Sequence, residues 1–455
     1  MLRPRSLARS SLTLVLAALL GLAALAHAQT TLRIAEHPGP HVEAMEEYFL
    51  PLYQELTGVN IIMEVLPPDQ LWQKMQLEAQ ANTDYYDMGY HSPGWFGYFY
   101  EKVAGLDDLI AEFGFDLDQY SQAVIDSHMT NSMLRPGEII AIARNPQTPI
   151  YAYRMDWFEH PDEQAAFQAE YGRPLAVPNT WEELYDVAVF FTRPAGATVA
   201  GETLTQPLFG YSASVKPPGG MARAFLAIVY SLGLDGWDED FQTDLDDPIL
   251  LEGVAYWRKL VEDTFPPQAQ TWDFLEHLSF MREGRLATAE LWPEGVLTID
   301  GGDAPTAGTI GYATLPQWPG NRKDLPIGRS FIGGGGMLIF DTPNKEESFK
   351  FMQWMLEEQA AEFNLRTAMF ARADQFTNPD VLSAHDFYDT FLPVFEEQMA
   401  YGFARQPIAE YGAVMYIPAG EFAADVLFDV MTPERAQQRW IDTMERIFVE
   451  SGYVD

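Results

Sequence analysis

The sequence predicts an α/β protein built as two lobes, and three observations carry that expectation. Strand and helix patterns alternate through the first hundred residues, and a second alternating series begins near Glu138. About 427 residues remain after an N-terminal leader, too many for one hydrophobic core.

The leader comes first. Arg3, Arg5 and Arg9 precede an apolar run from Leu12 to Leu25, and Ala26-His27-Ala28 offers small residues at a cleavage point. This is the pattern of a secretory signal peptide over residues 1–28, with Gln29 as the mature start. The run is shorter than the ~20 apolar residues of a membrane span. Every later apolar run is broken by charge, Gly or Pro, so a soluble mature protein is expected.

Thr31 to Ala35 reads as a strand, followed by a helix from Val42 to Leu56 that Gly58 ends. Val59 to Leu66 is a second strand, and Asp69 is expected to cap a helix running to Gln80, with Leu71, Trp72, Met75 and Leu77 at helical spacing. A third strand around Asp87 to Tyr90 leads into His91-Ser92-Pro93-Gly94-Trp95. Such alternation implies a mainly parallel sheet whose ligands sit beyond the carboxyl ends of the strands. Glu36-His37 and His91 to Trp95 are therefore the first candidate binding loops.

Glu138 to Ala143 and Ile150 to Tyr153 are two short strands, and Asn145-Pro146-Gln147 between them reads as a crossover between lobes. Thr180 caps a helix from Trp181 to Phe191, with Glu182 and Glu183 in the first turn as the helix dipole favours. Further helices are expected over Gly219 to Leu232, Pro248 to Asp263 and Phe274 to Glu283. The acidic stretch Asp235 to Asp247 contains no calcium loop with a central Gly and terminal Glu, and reads as a solvated segment. Leu286 to Leu291 and Thr309 to Leu315 look like strands. Ser330-Phe331-Ile332 leads into Gly333 to Gly336, read as a turn that lets backbone approach a ligand, and then apolar Met337 to Phe340. From Lys345 the pattern is mostly helical, ending in Thr432 to Val449 with Pro433 at its first helical position.

Composition narrows the function classes. The formal charge of −38, which becomes −41 once Arg3, Arg5 and Arg9 are removed, repels nucleic acid and anionic membrane faces. Cysteine is absent, which excludes disulfides, thiolate metal sites, thiol nucleophiles and the acylated cysteine of a lipoprotein. A free periplasmic protein is expected.

Twelve motifs then run in one order: TLRIA; YYDMGYHSPGWFGYF; GLDDLI; EIIAIARNPQTPIYAYRMDWF; PNTWEELYDVAVFFT; LFGYSAS; SLGLDGW; FMREGRLATAELWPEGV; IGYATLP; SFIGGGGMLIFDTPNKEESFKFMQWML; FARQPIAEYGAVM; and TPERAQQRWIDTME. In this order they resemble the extracellular solute-binding proteins of ABC importers, in the carbohydrate-binding group that includes maltose-binding protein. The chain departs from that pattern at Tyr153-Arg154, where the family has Tyr-Asn, and at Met369 to Arg372, where it has a Gly-Pro-like turn.

The resemblance implies a type II periplasmic binding fold: two lobes, each a mainly parallel sheet flanked by helices, joined by a hinge. Lobe one would comprise residues 29–147 plus 334–376, and lobe two 148–333 plus 377–455. It further implies a monomer, without cofactor or catalysis, that captures a mono- or oligosaccharide and delivers it to the membrane permease subunits of an ABC importer. Receptors for a phosphorylated polyol or a polyamine, and a secreted glycosidase, are the alternatives. Against the enzyme, Gly210 to Ser214 fails the nucleophile-elbow pattern at its last residue and no H-E-x-x-H is present.

A sugar needs hydrogen-bonding side chains beside exposed aromatics. Lobe one supplies Glu36, His37, His91, Ser92 and Trp95. Asn145 and Gln147 fall near the hinge, Trp272 and Trp292 come from lobe two, and Gly333, Gly334 and Gly335 let backbone approach the ligand. For a phosphate ligand, Arg144, Arg329 and Arg372 are the candidates. Trp181, Trp257, Trp354 and Trp440 lie in helical patterns and are expected in the core. His37 and His91 read more readily as ordinary surface histidines, and neither has a partner at metal-ligand spacing, so no metal is expected.

Overall fold

The computed structural model describes residues 30–454 apart from 132, 273, 406, 407 and 409; the predicted signal peptide and its cleavage point lie outside the described residues. Strand β1 (Thr31–Glu36) runs parallel to β2 (Asn60–Val65), and between them a continuous helical run covers Pro40–Ala44, Met45–Phe49 and Leu50–Thr57. It stops at Gly58, whose φ of 77° is the left-handed conformation that glycine adopts without a Cβ penalty. The next helix, Pro68–Ala81, begins one residue ahead of the expected Asp69 cap, because Pro68 fits a first turn where its missing N–H is not needed. Strand β3 (Met88–His91) then pairs parallel with β1.

A short hairpin of β4 (Thr130–Asn131) and β5 (Arg135–Ile139) precedes β6 (Ala141–Gln147). The first sheet has the order β2-β1-β3-β12-β6, where β12 (Gly333–Ile339) arrives from far along the chain. It is antiparallel to both neighbours. The expected mainly parallel arrangement therefore holds only for β2-β1-β3. The cause is geometric: β12 enters at the edge where β1, β3 and β6 leave, so it has to run backwards.

After Thr148-Pro149 the chain passes into a second sheet as β7 (Ile150–Arg154). There β7 is central, and β10 (Thr288–Leu291) and β11 (Ile310–Ala313) flank it antiparallel. This again differs from the expected parallel sheet, since β7 leads away from the hinge whereas β10 returns toward it, Leu291 lying opposite Ile150. A small hairpin of β8 (Thr198–Val199) and β9 (Glu202–Thr203) lies apart from both sheets.

Each sheet has its own core. Around the first, Phe49, Ile142, Met337 and Phe349 pack on one face, while Leu71, Phe99, Ala141 and Leu338 pack on the other, as alternate strand residues must. The second core gathers Trp181, Phe225, Trp257, Leu291, Phe391 and Trp440. Trp181, Trp257, Trp354 and Trp440 are all buried, as their helical spacing predicts. At residues 368–371 membership alternates: Ala368 and Phe370 belong to the second core, Met369 and Ala371 to the first. The chain thus passes between the cores there, and Phe376 already packs with the second.

Local caps explain several boundaries. Thr180 Oγ1 accepts from the Glu183 N–H at 3.2 Å to start Trp181–Phe191, and Thr432 does the same for Arg435 at the head of Pro433–Glu450. In the acidic loop, Asp244 accepts from the N–H groups of Asp235 and Gly236, and Asp238 from those of Asp240 and Gln242, so these carboxylates stabilise turns. Among the described residues no helix is long and apolar enough to cross a membrane.

Candidate functional site

Strands β6 and β12 carry the chain between the two sheets side by side, with Gly333 opposite Gln147, Gly334 opposite Pro146 and Gly335 opposite Asn145. The four glycines are therefore strand residues rather than the expected turn. Close packing accounts for them. A Cβ on Gly334 would lie 1.9 Å from the Asn145 carbonyl oxygen, one on Gly335 2.3 Å from the His91 carbonyl oxygen, and one on Gly333 2.8 Å from the Trp292 ring. Asn145 supports the same ladder, its Oδ1 accepting from the Gly335 N–H at 3.1 Å.

The carboxyl ends of β1 and β3 face this hinge. Glu36, fully buried, accepts from Arg144 Nη1 at 2.6 Å and lies 3.2 Å from His41 Nε2. Burial alone would raise its pKa, but Arg144 and then His41 outweigh that and hold the carboxyl well below the usual range. His37 follows, its ring edge-on to Tyr90 at 4.1 Å and its Nδ1 2.8 Å from the Pro38 carbonyl oxygen. Burial pushes both His37 and His41 below the ordinary histidine value, with Glu36 opposing. The expectation that His37 lacks a partner at metal-ligand spacing does not hold: His41 stands four residues on, and the turn after Gly39 folds its ring back beside His37 at 4.9 Å.

His91 is not a surface histidine. It is fully buried opposite His128, and burial takes its pKa down to about 3. His128 itself lies 2.8 Å from the Gly333 carbonyl oxygen, so this pair braces the hinge. Ser92 Oγ accepts from Arg405 of the second lobe at 3.2 Å, and Trp95 sits half-buried 5.8 Å from Tyr90.

From the second lobe, Trp292 and Glu294 follow β10. Trp292 is buried against Phe331 at 5.7 Å, and while burial raises the pKa of the Glu290 carboxyl, the influence of Trp292 lowers it. Gln147 Nε2 donates to Glu294 Oε2 at 3.1 Å, and the Glu294 N–H donates to Gln147 Oε1 at 3.3 Å. The Glu294 charge also acts on His37 and Tyr90. Arg405 lies over the Phe331 ring at 4.5 Å and makes no ion pair with a carboxylate among the described residues.

The structure thus brings together Glu36, His37, Ser92, Trp95, Gln147, Trp292 and the glycines, with Asn145 and His91 behind them as braces. Sequence reasoning missed His41, Tyr90, Glu294 and Arg405, although each lies within five residues of a residue or inside a motif already singled out. Two candidates sit elsewhere. Trp272 is buried against Phe280 at 4.4 Å, beside a shallow depression of about 370 Å³ with Gln268 and Leu275, because its loop folds onto the second core rather than toward the hinge. Arg372 is bound to Glu357 at 3.2 Å and Asp374 at 3.1 Å. Arg144 is likewise spent on Glu36 and Arg329 on Asp235, so the arginines proposed for a phosphate are each neutralised by a different carboxylate.

Known proteins share this architecture. A profile for bacterial extracellular solute-binding proteins matches residues 38–362. A probable ABC transporter-binding protein of Deinococcus radiodurans is 23% identical over 276 residues, 59% of this chain, and the match spans 61% of that relative's length. Among solved structures, an ABC transporter solute-binding protein of Agrobacterium radiobacter K84 in complex with ribitol superposes with a TM-score of 0.75 at 23% identity, covering 91% of this chain and 98% of that one. A maltose-bound protein of T. maritima gives 0.76 at 18% identity over 92% and 100%, and a solute-binding protein of Agrobacterium vitis S4 with bound D-mannitol gives 0.73 at 17% over 94% and 100%. The fold is that of the type II periplasmic binding proteins.

Proposed function

Because the chain belongs to the family of bacterial extracellular solute-binding proteins, we propose that it captures a sugar or sugar alcohol between its lobes and delivers it to the permease subunits of an ABC importer. One observation carries this: the hinge gathers an amide, a carboxylate, a phenol and a guanidinium from both lobes, in Gln147, Glu294, Tyr90 and Arg405. Solute hydroxyls both donate and accept, so they need this mixture, and the rings of Trp95 and Trp292 offer apolar faces beside it. A solute that touches both lobes stabilises the closed form relative to the open one. The ribitol, maltose and D-mannitol bound by structurally similar proteins support the same chemical class.

The chain acts as a binder rather than a hydrolase and works outside the cytoplasm as a monomer. Against a phosphorylated solute, which calls for clustered arginines, Arg144, Arg329 and Arg372 are already paired and Arg405 stands at the hinge as a single guanidinium.

The test is a thermal-shift screen with ribitol, mannitol, maltose, glucose, a polyol phosphate and spermidine, followed by calorimetric titration and recovery of the ligand. A neutral polyol or sugar is expected to raise the melting temperature and to be recovered unchanged. Binding of spermidine or the phosphate alone, or turnover of any sugar, would overturn the proposal.

A further inference from the structure

We propose that Glu36, His37 and His41 form a divalent transition-metal site of the zinc type on the first lobe's wall of the cleft, with one coordination position left open. The site lies within one lobe and stands independently of the sugar reading.

Glu36, His37 and His41 each offer one donor atom, and these three lie within 4.8 Å of one another. The carboxylate oxygen is 3.2 Å from His41 Nε2 and 3.8 Å from His37 Nε2. Tetrahedral zinc with bonds of about 2.0–2.2 Å sets neighbouring donors roughly 3.3–3.6 Å apart. Two edges of that tetrahedron are already near their length. A small rotation of one imidazole closes the third.

The hydrogen bonding points the same way. His37 Nδ1 donates to the Pro38 carbonyl at 2.8 Å, so the proton resides there and Nε2 keeps its lone pair, which is the tautomer a metal-bound histidine uses. His37 Nε2 finds no hydrogen-bond partner, and Nε2 of the fully buried His41 faces Glu36 Oε1 at 3.2 Å. Buried polar atoms without partners are uncommon, and the lone pair of His37 Nε2, aimed into this cluster, calls for something to bind it. Glu36 Oε2 is held by Arg144 Nη1 at 2.6 Å, and Oε1, which accepts from the His37 N–H at 2.9 Å and from Arg144 Nη2 at 3.4 Å, is the carboxylate oxygen turned toward both imidazoles. Gly39 completes the cradle, since a Cβ there would lie 2.7 Å from His41 Cε1 and force the ring out.

Two imidazoles and one carboxylate without a thiolate is a set zinc takes where a fourth position stays free for water or another oxygen ligand. Calcium and magnesium would call for oxygen donors throughout. The charge of Glu294 in the second lobe acts on His37.

The test titrates the full chain, stripped with a chelator and free of sugar, with zinc chloride in competition with a chromophoric chelator. One equivalent is expected to bind, and His37→Gln and His41→Gln should each weaken binding tenfold or more, while His160→Gln leaves it unchanged. X-ray absorption at the zinc edge of the unsubstituted protein should show imidazole ligands at about 2.0–2.1 Å, a readout that survives if His41→Gln does not fold. Absence of saturable binding, a zinc shell without imidazole, or binding that His37→Gln leaves intact would overturn the proposal. Ribitol and maltose binding measured with chelator present tests the sugar reading separately.

Discussion

Gln147 and Glu294 exchange two hydrogen bonds across the cleft, the amide of the hinge strand meeting both the carboxylate and the backbone N–H of the opposite lobe. Both residues spend on each other the groups that a solute hydroxyl would use. On the proposed function, a solute would enter by substitution, its oxygens replacing one or both of these bonds.

Gln147→Ala should then weaken solute binding about tenfold or more, equivalent to roughly 1.4 kcal/mol or more, with little change in the far-ultraviolet circular dichroism. Calorimetric titration with the best hit of the ligand screen measures it. An unchanged Kd would remove Gln147 from the binding surface.

Glu290 gives a pH prediction. Burial pushes its carboxyl up to about 7, against the lowering influence of Trp292 and Arg223. The folded state therefore binds the proton more tightly than the unfolded chain, whose glutamates titrate near ~4.3. The resulting stability is fully present below that value and is lost as pH rises through about 7. Glu290→Gln cannot ionise, so its melting temperature should exceed that of the unsubstituted protein at pH 8.5, with the gap narrowing toward pH 4.5. A gap that does not vary with pH would show that Glu290 does not titrate in this window.

Gly334→Ala tests the hinge. The residue has φ of 72°, and its new Cβ would meet the Asn145 carbonyl oxygen at 1.9 Å. Left-handed strain alone costs about 1–3 kcal/mol, and the clash adds to it. The melting temperature should fall by several degrees, whereas Gly302→Ala, where a Cβ meets nothing within 4 Å, should leave it unchanged.

Local physics made the secondary structure legible. Thr180 before Trp181, Gly58 after Thr57 and Pro433 after Thr432 each act within one turn of chain, so their signals survive without tertiary context. The candidate loops at Glu36-His37, Ser92 and Trp292 were legible for a related reason, since strand ends mark where a sheet can be reached. What escaped depends on partners distant in sequence. A glycine needed for a tight turn and one needed because a strand presses on it look alike until Asn145 is placed beside Gly335. His91 reads as exposed until His128 covers it, and Trp272 as a platform until Phe280 does. Glu294 was passed over because its worth lies in Gln147, 147 residues earlier.

The place of β12 between β3 and β6 also sets a schedule for the growing chain. About 190 residues separate the end of β6 from the end of β12, roughly 10–40 s of synthesis at 5–20 residues per second. Throughout that interval β3 and β6 have been made but have no strand to join them. The first lobe, although its strands begin early in the chain, cannot complete its sheet until β12 is made, and until then its nascent chain has exposed strand edges to be kept from unwanted pairing.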